Sequence, residues 1–416
     1  MQGASARCCT SRMTPPRKPR LDDVPLPGKA RRLASWFRQK VTSKKRSVPH
    51  NSAAELLDLF APEVAYNPFP QYERLRREGP VHFLPRHGYW LLIGYDVVNS
   101  ALSQPQLFSN RVREWTDVDS VLLGADPPEH TAVRRVVGQH FSSQDLEMQT
   151  AFAEKTAASL LQPLLAGGRL NVLGEFATPL SEEVAAHLIG IDRPTLSAMR
   201  AAQATATDLA KWLTELDAIV AAAADRLPLY EQLLRDGDGE LSHADVRSLI
   251  RFLWIAGTTT TRRTIASSVL MLLRHPAMRS HIEADPASLS TFVEESLRFC
   301  PPEHTIARRA ATDIEISGAK IPANALVKLC IAAANRDPTQ FADPETFLLH
   351  RTPNRHLSFG FGVHRCIGAP LARVEMAAAV RVLLRLAPGF RSVEPLQTLR
   401  FVGFVNDSEE LVIEAK

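Results

Sequence analysis

The stretch FGFGVHRCIGAPLARVE, residues 359–375, constrains this chain more than any other segment. It sets one cysteine among three glycines, directly before a run with helical apolar spacing. Three glycines in nine positions are costly in chain entropy, so the backbone there must approach something closely. Pro370 is favourable in the first turn of a helix, which puts Cys366 just before a helix N-terminus. Free N–H groups and the helix dipole favour an anion at such a place. Taken alone, Cys366 has four readings. It can be a small buried hydrophobe, the usual fate of an intracellular cysteine. It can be a zinc ligand, although no second Cys or His lies at zinc-finger spacing. It can be a nucleophile, which requires a partner base. Or it can be a thiolate holding haem iron, and this reading uses every feature of the stretch. Gly360, Gly362 and Gly368 would let a flat macrocycle come close, and His364 and Arg365 would suit its propionates.

The order Phe-Gly-x-Gly-x-His-x-Cys-x-Gly is met at Phe359, Gly360, Gly362, His364, Cys366 and Gly368, and Leu371-Ala372-Arg373 and Glu375 follow. In these residues the stretch resembles the haem-binding signature of cytochromes P450. The resemblance implies a mainly α fold with small β-sheets, a single domain holding haem between a long central helix and a proximal Cys loop. It implies haem b (heme, iron protoporphyrin IX) with Cys366 as axial thiolate and metal ligand.

Other segments fit the same family. EESLRFCPP contains Glu295-x-x-Arg298, which spacing alone makes an ion pair on a helix surface worth a few tenths of a kcal/mol. The resemblance adds Arg351, in DPETFLLHR, as the third member of a structural brace. DPPEHTAVRRVV resembles the family's third helix, with His130 and Arg134 four apart on one face. Arg308 in TIARRAATDIEI matches the arginine before the small sheet, with Arg309 one register step away. With His364, these are the residues the resemblance assigns to the propionates.

The segment DVRSLIRFLWIAGTTTTRRTIASSVLMLLRHP is about 30 residues of strongly apolar helical pattern and is expected to cross the core. Its AGTTTT matches the family's oxygen groove, with Ala256 and Gly257 as small residues and Thr260 as the alcohol facing dioxygen. Hydroxyls bonding back to the i−4 carbonyl are expected to loosen the helix there. The family's acid position is occupied by Thr259, and no Asp or Glu occurs between Asp245 and Glu283. Protons must then come from a polar substrate, ordered water, or Glu303 and His304.

Elsewhere, VHFLPRHGYWLLIGY reads as a hairpin about His87-Gly88, helical patterns dominate from about 145 to 300, and DLEMQTAFAEKTAASLLQPLLAGG reads as one helix with a glycine stop. Strands return in DIEISGAKIPANALVKLCIAA and near LRFVGFV. Five cysteines at irregular spacing argue for a reducing compartment and a cytoplasmic protein. No apolar run approaches the roughly 18 residues of a transmembrane segment. Residues 1–50 carry 13 Lys/Arg against 2 Asp/Glu, leaving 36 against 43 in the rest. The basic excess therefore belongs to the tail, and the body offers nothing to nucleic acid. The tail reads as a solvated, disordered extension, the alternative being a weak contact with a partner or membrane through Leu33, Trp36, Phe37 and Val41. Residues 51–416 read as the P450 domain.

The resemblance implies a monooxygenase that inserts one atom of O2 into a small-molecule substrate, in secondary metabolism. Electrons would come from NAD(P)H indirectly, through a ferredoxin or flavodoxin and its reductase. Two alternatives stay open: a P450 that uses peroxide or performs coupling chemistry, and an inactive P450-like helper subunit. RVREWTDVDSVLLGAD and PPEHTIA are the segments expected to line the substrate pocket.

Overall fold

The computed structural model describes residues 57, 61, 64, 67–112, 121–206, 209–396, 400–402, 405–407 and 411–415. These fall within one contact unit, Val41–Lys416. The basic tail of residues 1–50 and pocket candidates Arg113, Trp115, Asp117 and Val118 lie outside the described residues.

Helices dominate, with four small sheets among the described residues. In chain order the elements are α1 (Phe69–Glu78), β1 (Val81–Leu84), β2 (Tyr89–Leu92), α2 (Tyr95–Ser103), β3 (Phe108–Ser109), α3 (Glu129–Gly138) and α4 (Ser143–Leu160). Then come β4 (Arg169–Asn171), α5 (Thr178–Ile189), α6 (Arg193–Thr205), α7 (Leu209–Ala223), α8 (Pro228–Asp236), α9 (His243–Arg274), α10 (Pro276–Ala284) and α11 (Leu289–Phe299). Strands β5 (Thr305–Ala310), β6 (Ile314–Ile316), β7 (Ala319–Ile321) and β8 (Leu326–Cys330) precede α12 (Ala369–Leu386). Strands β9 (Arg391–Ser392), β10 (Arg400–Val402), β11 (Val405–Asp407) and β12 (Val412–Glu414) close the chain.

Helix α9 is the axis of the molecule. A capping box starts it: Ser242 Oγ accepts from Asp245 N–H, and the Asp245 carboxylate accepts from Ser242 N–H at 2.9 Å. His275-Pro276 ends it, because the chain before a proline avoids helical backbone. Its 32 residues span about 48 Å at 1.5 Å each. The first half buries Val246, Leu249, Ile250 and Trp254 in one core cluster; the second buries Ile265, Val269 and Met271 in another. A helix apolar on most of its circumference must be enclosed, and α9 crosses the core as its composition requires.

The hairpin forms as expected: β1 pairs antiparallel with β2, Val81 opposite Leu92 and Leu84 opposite Tyr89. Gly88 takes a left-handed φ of +69° to turn the chain. The main sheet runs β1-β2-β8-β5-β3. In it Arg308 lies opposite Val327 and Arg309 opposite Leu326. Successive side chains on a strand point to opposite faces, so only one of the two arginines can enter the interior. It is Arg308, buried, while Arg309 donates to Asn324 O at 2.7 Å.

The single helix expected over DLEMQTAFAEKTAASLLQPLLAGG is instead two pieces. Helix α4 ends at Leu160 and a short turn, Gln162–Leu165, follows. Pro163 has no N–H to continue the ladder, so the helix restarts at it. A π-helical turn at Val172–Ala177 ahead of α5 left no signal in the sequence.

Candidate active site

The chain reaches the site through a tight loop. Cys366 N–H donates to Phe359 O at 2.8 Å, and Gly360 N–H to Leu357 O at 2.8 Å. Gly360 and Gly362 hold left-handed φ values of +66° and +72°. A Cβ on Gly362 would stand 2.7 Å from the backbone oxygen of Leu102 on α2. Gly362 is thus required by its conformation and by the close approach of α2. Gly368 has an ordinary φ of −80° and caps α12, whose first turn holds Pro370.

Cys366 sits three residues before the first residue of that helix, as its sequence implies, and is exposed, whereas Cys300 and Cys330 are buried. Although exposed, Cys366 is crowded by protein, and the loss of bulk water raises its pKa above the usual thiol value. A hydrogen bond from the Gly368 backbone and the charges of Arg134, Arg373 and Arg365 pull the other way without prevailing. The helix start and cations reduce the cost of the anion; a bound metal ion would have to supply the remainder.

A cluster of cationic side chains surrounds the loop. His130, on α3 and buried, lies against His364 with ring centroids 3.9 Å apart. One turn on, Arg134 Nη2 donates to Arg365 O at 2.5 Å. Burial and the neighbouring His130, Arg308 and Arg134 hold His364 down to about 3. Burial and Arg134 also lower His130, against Asp126. Arg308 falls to about 10 through burial, again opposed by Asp126. Burial and three neighbouring bases thus favour the neutral imidazole at His364 in the chain on its own.

The acidic counterpart is Asp126, which sequence reasoning did not single out. It accepts from Ser109 Oγ at 2.5 Å and from Asn110 N–H at 2.9 Å, and its Oδ1 is 3.9 Å from His364 Nε2. Asp126 thus faces the imidazoles of His130 and His364 and the guanidinium of Arg308, and its Oδ2 lies 3.7 Å from Arg111 Nε. His130 Nδ1 and His364 Nε2 are buried with no hydrogen-bond partner among the described residues. Buried polar atoms are ordinarily satisfied, so this donor-rich wall fits a ligand carrying two carboxylates.

On the helix face, Thr258, Thr259 and Thr260 each donate to the carbonyl four residues back, at 2.8, 2.7 and 2.8 Å. The expected loosening does not occur, and α9 stays α-helical through the run. Thr259 and Thr260 are half-buried. Helix α9 packs on α12, which the Cys366 loop heads. Glu303 and His304 diverge. His304 turns into the core beside Phe69 and Tyr72, and burial holds it at about 3, so it cannot serve as a proton reservoir near neutrality. Glu303 Oε1 pairs with Arg263 Nη1 of α9 at 3.4 Å.

Glu295, Arg298 and Arg351 meet as a brace, and the surface ion pair suggested by spacing is fully buried. Arg298 donates to both Glu295 oxygens at 2.7 and 2.8 Å and to the carbonyls of Asn335, Pro344 and Thr346. All five of its N–H groups are used. Arg351 Nε reaches both Glu295 oxygens at 3.1 Å. A neighbouring tie was not anticipated. Arg373, from the signature itself, makes a two-pronged pair with Glu294 at 2.6 and 2.9 Å and stacks on Phe359, fastening α12 to α11. Burial alone would raise Glu294, but hydrogen bonds and charge from Arg373 and His356 take it down to about 2. Glu375 is buried, its pKa pushed well above the usual value by burial, and its Oε2 has no hydrogen-bond partner among the described residues.

Fold and site define a class: mainly helical proteins with an accessible thiol at a helix start, walled by donors for an acidic ligand. Comparison with known proteins narrows it. The family model described as Cytochrome P450 matches residues 287–391. The chain is 33% identical over 365 residues to the cytochrome P450 monooxygenase PikC of Streptomyces venezuelae, covering 80% of this chain and 87% of that protein. It is 32% identical to 6-deoxyerythronolide B hydroxylase of Saccharopolyspora erythraea, covering 76% and 88%. The crystal structure of the myxobacterial cytochrome P450 CYP267B1 with myristic acid superposes with a TM-score of 0.78 at 31% identity, covering 86% of this chain and 98% of that one. The chain belongs to the cytochrome P450 family and is a monooxygenase of it. Membership implies a haem held by a cysteine thiolate. The exposed Cys366, the unpartnered imidazole nitrogens and the excess of donors fit that group.

Proposed function

We propose that Cys366 is the axial ligand of haem b and that His130, Arg134, Arg308 and His364 hold its two propionates. The observation that carries this reading is the donor wall around the Cys366 loop, with His130, Arg308 and Arg134 from two other segments gathered about His364. When bound, a thiolate-ligated haem supplies the redox chemistry that activates dioxygen. The protein's own residues position and protect. Glu295, Arg298 and Arg351 brace the segment leading into the loop, and Arg373 anchors α12 behind it. Thr260, with Thr259 beside it, presents a hydroxyl from α9 to the reacting oxygen.

The substrate is a small organic molecule of secondary metabolism; relatives such as 6-deoxyerythronolide B hydroxylase and the polyketide biosynthesis cytochrome P450 PksS support that choice. Electrons originate in NAD(P)H and arrive singly from a ferredoxin or flavodoxin served by its reductase. Exposed Phe361 and Val363 flank the loop beside exposed Arg365, an apolar and cationic surface suited to an acidic carrier. Among the described residues no helix is long and apolar enough to cross a membrane. The absence of an acid at position 259 favours a second reading, use of peroxide in place of dioxygen and electrons.

The test is the reduced, carbon monoxide-bound spectrum. Wild-type protein is expected to show the thiolate-haem band, and Cys366→His to lose it while retaining haem. A wild-type chain without the band overturns the assignment. Turnover with peroxide but not with the reductase system would select the second reading.

A further inference from the structure

We propose that Glu303 is the proton-supplying carboxyl for the Thr260 turn of α9, standing in for the acid that the helix lacks at position 259. The proposal rests on the monooxygenase reading of Thr260. Its basis is geometric. Arg263 lies three residues beyond Thr260 on α9, and residues three apart share a helix face, roughly 5–6 Å apart at Cβ. Arg263 Nη1 holds Glu303 Oε1 at 3.4 Å, so the carboxyl is tethered over the turn next to Thr260. From α9 to the strand region, the charged groups facing it are Arg263 and Lys328 of β8. The neighbouring His304 points into the core.

Two properties suit the carboxyl to supply protons repeatedly. Burial raises its pKa to about 7 even against the two cations, so near neutrality it is available in both forms. Its side chain keeps 37% exposure, which tempers the effect of burial and leaves an open edge for reprotonation. Glu375, the other carboxyl with a strongly raised pKa, is only 2% exposed and lacks such an edge. In the step itself, the Glu303 O–H bond breaks as its proton passes to a bridging water. That water gives a proton to the Thr260 hydroxyl, which accepts through a lone pair, while the hydroxyl's own hydrogen leaves the Ala256 carbonyl to which it donates at 2.8 Å and passes to the acceptor in the pocket. The Glu303 carboxylate then regains a proton from bulk water.

The test uses the haem-loaded protein with NADPH, a ferredoxin and ferredoxin reductase, following dioxygen consumption in H2O and D2O without added substrate. Glu303→Gln is expected to slow consumption by about tenfold or more, since positioned acids contribute about 10²–10⁴-fold. The wild-type rate should fall as pH rises through the neutral range. Glu303→Gln should lose that limb, Glu303→Asp restore part of it, and Arg263→Gln move it to higher pH by removing a cation. Independently of turnover, infrared difference spectra of the resting protein should show one carboxyl band titrating near neutrality, absent in Glu303→Gln. An unchanged rate and pH profile in Glu303→Gln overturns the proposal, as does loss of the limb in Glu375→Gln alone. If Thr260→Ala alters consumption or peroxide release while Glu303→Gln is silent, only this proposal falls. If Thr260→Ala is also silent, the reading of the α9 turn falls with it.

Discussion

Arg308 shows how much one strand step decides. Two adjacent arginines carry the same charge and the same sequence context, yet pairing with β8 buries one and sends the other to Asn324 O. A hydrogen bond to a charged group contributes about 1.5–3 kcal/mol. Arg308→Ala is therefore expected to speed haem dissociation about tenfold or more, read from the decay of the haem absorbance on transfer to an acceptor protein, with Arg309→Ala near wild type. Equal effects from the two would contradict the register. Gly362 is the second residue-scale case. An alanine there meets Leu102 O and a left-handed φ together, costing about 1–3 kcal/mol. Urea unfolding should show a lower midpoint for Gly362→Ala, and no shift would mean that the loop has a different path. The signature marks both Gly362 and Cys366, but it cannot say that Gly362 also answers to α2. That contact joins residues 260 positions apart in the chain.

Among the elements, the join of α11, α12 and the segment around Arg351 is where charge does structural duty. Removing one partner of a fully buried, fully hydrogen-bonded pair leaves an uncompensated charge, so Arg298→Ala should destabilise by about 3–5 kcal/mol. Arg351→Ala should cost less, because Glu295 keeps Arg298, Leu348 N–H and Asn354. Guanidinium unfolding of the two variants would show the order, and a larger loss for Arg351→Ala would refute it. The Glu294–Arg373–His356 tie adds a pH dependence. The Glu294 pKa is depressed in the folded chain, so its contribution is fully present above the ordinary value of 4.5. It is lost as pH falls from there towards about 2. With nearly a third of the carboxylate exposed, the effect is on the order of 1–2 kcal/mol. Arg373→Gln should flatten stability against pH in that window. A slope as steep as wild type would show the tie to be inert. The Glu295–Arg298 spacing was legible in the sequence; its burial was not, because spacing reports a helix face and not what covers it.

For the whole molecule, the site is assembled by packing the long helix against the start of α12 and the sheet. A group that binds only this assembled state stabilises it by mass action, about 2.7 kcal/mol at a hundredfold excess over its dissociation constant. The haem-free chain should therefore melt at a lower temperature than the loaded one in calorimetry. Arg308→Ala should narrow the gap, and identical melting temperatures would argue that the group is not enclosed by the fold.

By itself the sequence determined the family, the mainly helical class, and the place of the long central helix and of the hairpin. Hydrophobic period, capping residues and a glycine–cysteine signature are local properties that neighbours along the chain can encode. Only the tertiary structure decided which arginine faces inward, that burial and neighbouring bases hold the His364 pKa down, that Asp126 stands beside the two imidazoles, and that Glu303 and His304 point apart. Each of those depends on burial and on charges brought near by other elements, and both are set by packing rather than by order in the chain.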